Sequence, residues 1–96
     1  MKTPEGMVKD AIKKVLKARG IWFYMPMQNG MGVVGIPDFI CCDRGKFLAI
    51  EAKAPGKLNN LSANQRARLK ELQDHNAAII VVDDIEQLEE FLNAYV

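Results

Sequence analysis

No apolar run in this 96-residue chain is long enough to cross a bilayer. The longest, Ile21–Met27 and Ala77–Val82, fall far short of the ~20 residues a membrane helix needs. The opening Met1-Lys2-Thr3-Pro4-Glu5 is followed by no apolar leader, so a cytoplasmic location is expected. Cysteine is scarce as well: there are two, and they are consecutive, Cys41 and Cys42. Neighbouring residues on a strand point to opposite faces, which argues against a disulfide between them. With no CxxC and no Cys/His cluster, zinc is not expected either. The single histidine, His75, reads as a helix-end residue and not as a catalytic base.

An excess of one charge is also missing, since 13 Lys+Arg stand against 12 Asp+Glu. The balance conceals an asymmetry. Residues 1–20 carry six bases and two acids, residues 44–70 seven bases and Glu51 alone, and residues 83–96 five acids with no base. A basic face on a near-neutral protein suits a polyanionic partner, although such runs are commonly no more than solvated helix faces.

Thr3-Pro4-Glu5 has the form of an N-cap, a first-turn proline and a first-turn acid. Val8, Ala11, Ile12, Val15 and Leu16 then recur at helical spacing up to Gly20. Ile21–Met27 is aromatic and β-branched and predicts a strand, and residues 28–35, with three glycines, predict a loop. Ile36–Cys42 and Lys46–Lys53 predict two strands joined by a hairpin turn at Asp43-Arg44-Gly45-Lys46. A polar loop follows, then a helix opened by a capping box at Ser62-Ala63-Asn64-Gln65 and running to about Asn76. Ala77–Asp83 predicts a buried strand, and Asp84 starts a final helix. The expected fold is α/β, ordered α-β-β-β-α-β-α, with a central mixed sheet flanked by helices in one domain spanning residues 1–96.

The hairpin carries the chemistry. If Arg44-Gly45 is a two-residue turn, Asp43 faces Lys46 and Asp38 faces Glu51 across the ribbon, with Cβ atoms roughly 4.5–5.5 Å apart. Two acids so placed repel each other, and a hard divalent cation turns that cost into a site. Lys53 lies two residues beyond Glu51, on the same face. A solvated polar edge is the plainer alternative. Against it, the neighbouring residues are apolar on both faces, and charges at the end of a central strand are costly unless used. A three-residue turn would shift the register and separate the two acids.

Gly35-Ile36-Pro37-Asp38 followed by Glu51-Ala52-Lys53 resembles the PD-(D/E)xK nuclease signature, and the order of elements resembles the restriction-endonuclease-like core of that superfamily. With Lys57-Leu58, Leu61-Ser62 and Gln65 added, nearly the whole chain is similar to the VRR-Nuc domain (virus-type replication-repair nuclease). The resemblance implies a catalytic set of Glu5, Asp38, Glu51, Lys53 and Gln65. It implies Mg²⁺ or Mn²⁺ held by Asp38, Glu51 and the Ala52 backbone carbonyl, with Glu5 joining directly or through water. Glu5 also reads as a first-turn acid favoured by the helix dipole. Gln65 also reads as the reciprocal partner of Ser62 in the capping box, a role expected to compete with the site for its one side chain.

Lys9, Lys13, Lys57, Arg66 and Arg68 are the candidate nucleic-acid contacts. Phosphate contacts give affinity without reading sequence, and no segment has the look of a major-groove recognition helix, so structure-selective cutting of DNA is expected. Compact members of the family resemble small junction-resolving enzymes that act as homodimers, which implies branched DNA as substrate, a twofold assembly and a phage or prophage origin. The apolar stripe Trp22, Tyr24, Met25, Met27 and Met31 fits a dimer surface or an ordinary core. A catalytically silent binding module and a sequence-reading restriction-like enzyme are the competing readings.

Overall fold

The structure is a computed structural model and describes residues 2–27 and 32–95. Helix α1 spans Pro4–Ala18. Thr3 caps it by accepting from the Gly6 N–H at 3.0 Å, Pro4 occupies its first turn, and Val8, Ile12 and Leu16 form its buried stripe. Strand β1 (Trp22–Tyr24) leads to β2 (Phe39–Asp43), β3 (Lys46–Ala52), α2 (Ala63–Asp74), β4 (Ala78–Val82) and α3 (Ile85–Ala94). The sheet runs β1-β2-β3-β4, antiparallel at the first two pairings and parallel between β3 and β4. This is the expected α/β order with a mixed sheet flanked by helices.

The hairpin forms as its sequence requires. Arg44 and Gly45 both take positive φ, 52° and 85°, the combination a two-residue type I′ turn needs. Asp43 therefore pairs with Lys46, and the ladder continues to Phe39 opposite Ile50. Two strands are shorter than expected. Strand β2 begins at Phe39 instead of Ile36, because Pro37 has no N–H to donate and Asp38 uses its side chain, not its backbone, toward β3. Strand β1 holds three residues instead of seven, ending two residues before Pro26. Of the expected glycine-rich loop, residues 28–31 lie outside the described residues, and Met31 of the apolar stripe with them.

One sheet face carries the core. Phe39, Cys41, Leu48, Ile50, Ala52 and Val82 pack with the α1 stripe and with Leu88 and Leu92 of α3. Cys41 is buried there and Cys42 exposed, the opposite-face arrangement their adjacency predicts. The other face carries Ala49, Glu51 and, just past the strand end, Lys53, and is covered in part by α2. Trp22 and Tyr24, on edge strand β1, and Met27 are exposed, whereas Met25 packs against the core. The end of α2 is also as expected: His75 is the C-cap and Asn76 takes the left-handed φ of 69°.

Candidate active site

Strand β3 is buried on both faces at its C-terminal end, and it delivers Glu51 and Lys53 there, only 3% and 7% exposed. Central position makes this possible: β4 backbone pairs with β3 through Ala52 on one side, and on the other the Asp38 side chain takes over where the β2 ladder stops at Phe39. The Lys53 N–H continues the parallel ladder by donating to the Val82 carbonyl at 2.8 Å, which holds that residue on the strand axis.

Asp38 stands where β2 would pair next. Its carboxylate replaces the missing backbone acceptor, taking the Ala52 N–H on Oδ2 at 2.9 Å. The acid is thereby locked to the strand that carries Glu51, and the two carboxylates interact. Burial first, then the charge of Asp38, pushes Glu51 up to about 8, while Lys53 pulls the other way.

Gln65 joins the parts. Its Oε1 accepts from the Ser62 backbone N–H at 3.0 Å and from Lys53 Nζ at 2.9 Å. Its Nε2 donates to Glu51 Oε2 at 3.0 Å, and Lys53 Nζ lies 3.6 Å from that same oxygen. The expected competition between capping and site does not arise. The oxygen end has room for two donors, so the cap fixes which way the amide points and turns its NH₂ toward the acid.

Glu5 and Lys9 complete the lining of a cavity of about 360 Å³, which also includes Gly35, Ile36, Asp38, Glu51, Lys53, Ser62 and Gln65. Lys9 Nζ is 3.3 Å from Glu5 Oε2 and 3.4 Å from Asp38 Oδ1. Glu5 is therefore linked to Asp38 through Lys9. Among the described residues no three acidic, histidine or cysteine side chains gather into a ready-made metal cluster.

Two features of the site escaped sequence reading. Lys9 was expected on a basic outer face, yet it sits in the cavity; its i+4 spacing from Glu5 was the available signal. Gly35 reads in the sequence as the end of a glycine-rich loop and the start of the Gly35-Ile36-Pro37-Asp38 motif, yet it packs backbone to backbone on the start of α2: a Cβ there would lie 2.5 Å from the Asn64 carbonyl carbon. The remaining candidate phosphate contacts are dispersed. Arg68 forms a two-point ion pair with Glu71 at 2.8 and 2.9 Å, Arg66 donates to the Asn59 carbonyl at 3.4 Å, and Lys13 lies 3.9 Å from Asp10. Lys57 is exposed on the loop after β3.

The raised Glu51 carries a pH signature. Its folded value, about 8, exceeds the 4.5 of an unperturbed glutamate, so the stability it contributes is complete below about 4.5 and is lost as pH rises through 8. Without added cation, the melting temperature is expected to fall by several degrees between pH 6 and 8.5. Glu51→Gln, which mimics the neutral acid, is expected to melt at nearly constant temperature over that range, and matching slopes in the two proteins would contradict the assignment.

The sequence profile of the VRR-NUC domain matches residues 3–83. A solved structure titled "VRR_NUC domain" superimposes with a TM-score of 0.83 at 22% identity, covering 99% of this chain and 100% of the other. At that identity the likeness establishes the fold. No curated protein matches the sequence.

Proposed function

This chain belongs to the VRR-NUC domain family, nucleases of the PD-(D/E)xK type, and we propose that residues 1–96 form one cation-dependent endonuclease domain that cuts branched or otherwise structured DNA. The observation that carries this reading is the buried Glu51 carboxylate beside Asp38, hydrogen-bonded to Gln65 and flanked by Lys53.

The donor set suits a hard divalent cation. Two carboxylates meet at a strand end and interact, oxygen donors of the kind such an ion takes. Asp38 and Glu51 would hold Mg²⁺ or Mn²⁺ with the Ala52 backbone carbonyl, and Glu5 would join through water. When bound, the cation supplies Lewis-acid polarisation of the phosphate and a lowered pKa for water.

The protein's own groups divide the remaining work. Hydrolysis forms one bond from water oxygen to phosphorus and breaks one to a deoxyribose oxygen, which leaves with a proton. Lys53 Nζ, held by Gln65 Oε1, would orient the attacking water or donate to a phosphate oxygen as its charge grows. Gln65 keeps Glu51 oriented through its amide NH₂. Lys9, Lys13, Lys57, Arg66 and Arg68 would contact backbone phosphates, giving salt-sensitive binding without sequence reading.

The deciding assay offers four-way junctions, flaps and linear duplexes to the protein with Mg²⁺ or Mn²⁺, then repeats the reaction in EDTA. Cation-dependent cutting of branched DNA is expected, with none by Asp38→Ala. Binding without cutting would identify a silent module, and discrete fragments from linear plasmid a sequence-reading enzyme. Equal cleavage by Asp38→Ala would mean that the site lies elsewhere.

We further propose a homodimer. The rings of Trp22 and Tyr24, 5.8 Å apart on edge strand β1, and Met27 are exposed, and a second copy would cover this apolar surface. Light scattering at micromolar concentration is expected to give twice the chain mass; a strict monomer would remove the dimer and leave the nuclease reading intact.

A further inference from the structure

We propose that Lys9 is a built-in counter-ion: in the metal-free protein its ammonium occupies the position of the cation toward Asp38, and cation binding expels it to serve as a phosphate contact. The proposal rests on the cation-dependent reading of the site above. Asp38 has two oxygens, and the Ala52 N–H takes Oδ2. Oδ1 is the one left for a cation, and Lys9 Nζ lies 3.4 Å from it while also reaching Glu5 Oε2 at 3.3 Å. Each acid of the central pair thus has its own ammonium, Lys9 for Asp38 and Lys53 for Glu51.

The two lysines are held differently. Lys53 is almost fully enclosed and is fixed by Gln65, whereas the Lys9 side chain is 29% exposed and extends from the first turns of α1 on a flexible stem. An ammonium and a divalent cation cannot share one carboxylate oxygen without strong repulsion. The enclosed lysine has nowhere to go, so the exposed one yields. A released Lys9 remains at the cavity it lines, positively charged and without its Asp38 partner, where a phosphate oxygen is an available counter-charge beside Glu5. Cation and nucleic acid then favour each other's binding, and the coupling is reciprocal.

An ordinary i,i+4 helix pair with Glu5 would have none of these consequences. The test compares wild type, Lys9→Met and Lys9→Arg, each checked for folding by its circular-dichroism melt. Calorimetric titration with Mn²⁺ alone is expected to show about two- to fivefold tighter binding by Lys9→Met and near-wild-type binding by Lys9→Arg, the magnitude being that of one modest ion pair displaced. Stopped-flow anisotropy on labelled branched DNA, read before turnover, is expected to show a gain in affinity on adding Mn²⁺ that Lys9→Met lacks. Equal Mn²⁺ affinities in wild type and Lys9→Met overturn the counter-ion role while leaving the cation site standing. An equal Mn²⁺-dependent gain in DNA affinity overturns the hand-over to phosphate. Absence of Mn²⁺ binding by all three proteins removes the cation site itself, and the proposal with it.

Discussion

Lys53→Met is expected to lower the cleavage rate about 10²- to 10³-fold, the range typical of removing one donor aimed at developing transition-state charge. Methionine keeps the unbranched stem of the side chain, one atom shorter and without the charge, so the fold is expected to survive. Two consequences follow, and they separate by pH. Lys53 pulls Glu51 downward against burial and against Asp38; without it, Glu51 moves further up from about 8 and holds its proton more tightly in neutral buffer. Cation affinity at pH 7 is therefore expected to fall along with the rate. Raising the pH to 9 is expected to restore much of the cation binding, read by Mn²⁺ titration, without restoring cleavage, because the ammonium that acts on the phosphate is still missing. Full recovery of cleavage at pH 9 would reduce Lys53 to a tuner of Glu51.

Gly35→Ala is expected to damage activity far more than its single methyl suggests. Gly35 takes φ of 84°, where an L side chain costs about 1–2 kcal/mol. The added Cβ would also lie 2.5 Å from the Asn64 carbonyl carbon, 2.6 Å from its oxygen and 2.8 Å from the Gln65 nitrogen. These are backbone atoms of a helix start and cannot swing aside, so α2 must retreat, adding about 1–3 kcal/mol of overpacking. The total is roughly 2–5 kcal/mol, and each kcal/mol lowers the melting temperature of a domain this size by roughly 4–8 °C. The retreat carries Gln65 with it and loosens its bonds to Lys53 and Glu51 together. Displacements near 1 Å at reacting groups can cost about 10²-fold in rate, and a loss of that order is expected even well below the melting temperature.

Gly45→Ala provides the control. Gly45 has the same sign and size of φ, 85°, but nothing within 4 Å of a built Cβ, and it lies in the hairpin turn at the opposite end of β2 and β3 from the site. It is expected to lose stability from backbone strain and to keep its activity. Comparable activity losses in both variants would mean that contact with α2 is not what makes Gly35 special.

Much of this molecule could be read from local pattern, and the reasons are local. The helix caps at Thr3, Ser62 and Asp84 fall where side-chain oxygens precede helical periodicity, because capping depends on residues three apart at most. The register of β2 against β3 follows from one turn whose geometry two residues decide. Once that register is set, Asp38, Glu51 and Lys53 must come to one end of the sheet, so the core of the candidate site was legible before any coordinates. Strand ends were less so: Pro37 and Pro26 were visible in the sequence, but how far each shortens a ladder depends on what the neighbouring strand offers.

What only the tertiary structure decided is where separate elements touch. Lys9 belongs by periodicity to an ordinary basic helix face; its meeting with Asp38 depends on how α1 crosses the end of a sheet formed twenty and more residues later. Gly35 and Asn64 lie far apart in the chain, and no propensity records that their backbones must come within reach. Gln65 shows the boundary between the two kinds of information. Its capping bond to Ser62 is written in four consecutive residues, whereas its bonds to Lys53 and Glu51 exist only because α2 packs on that face of β3. Local sequence sets dihedral angles and hydrogen bonds between near neighbours, while contacts across elements arise from the burial of all the apolar faces at once, and that sum has no short-range signature.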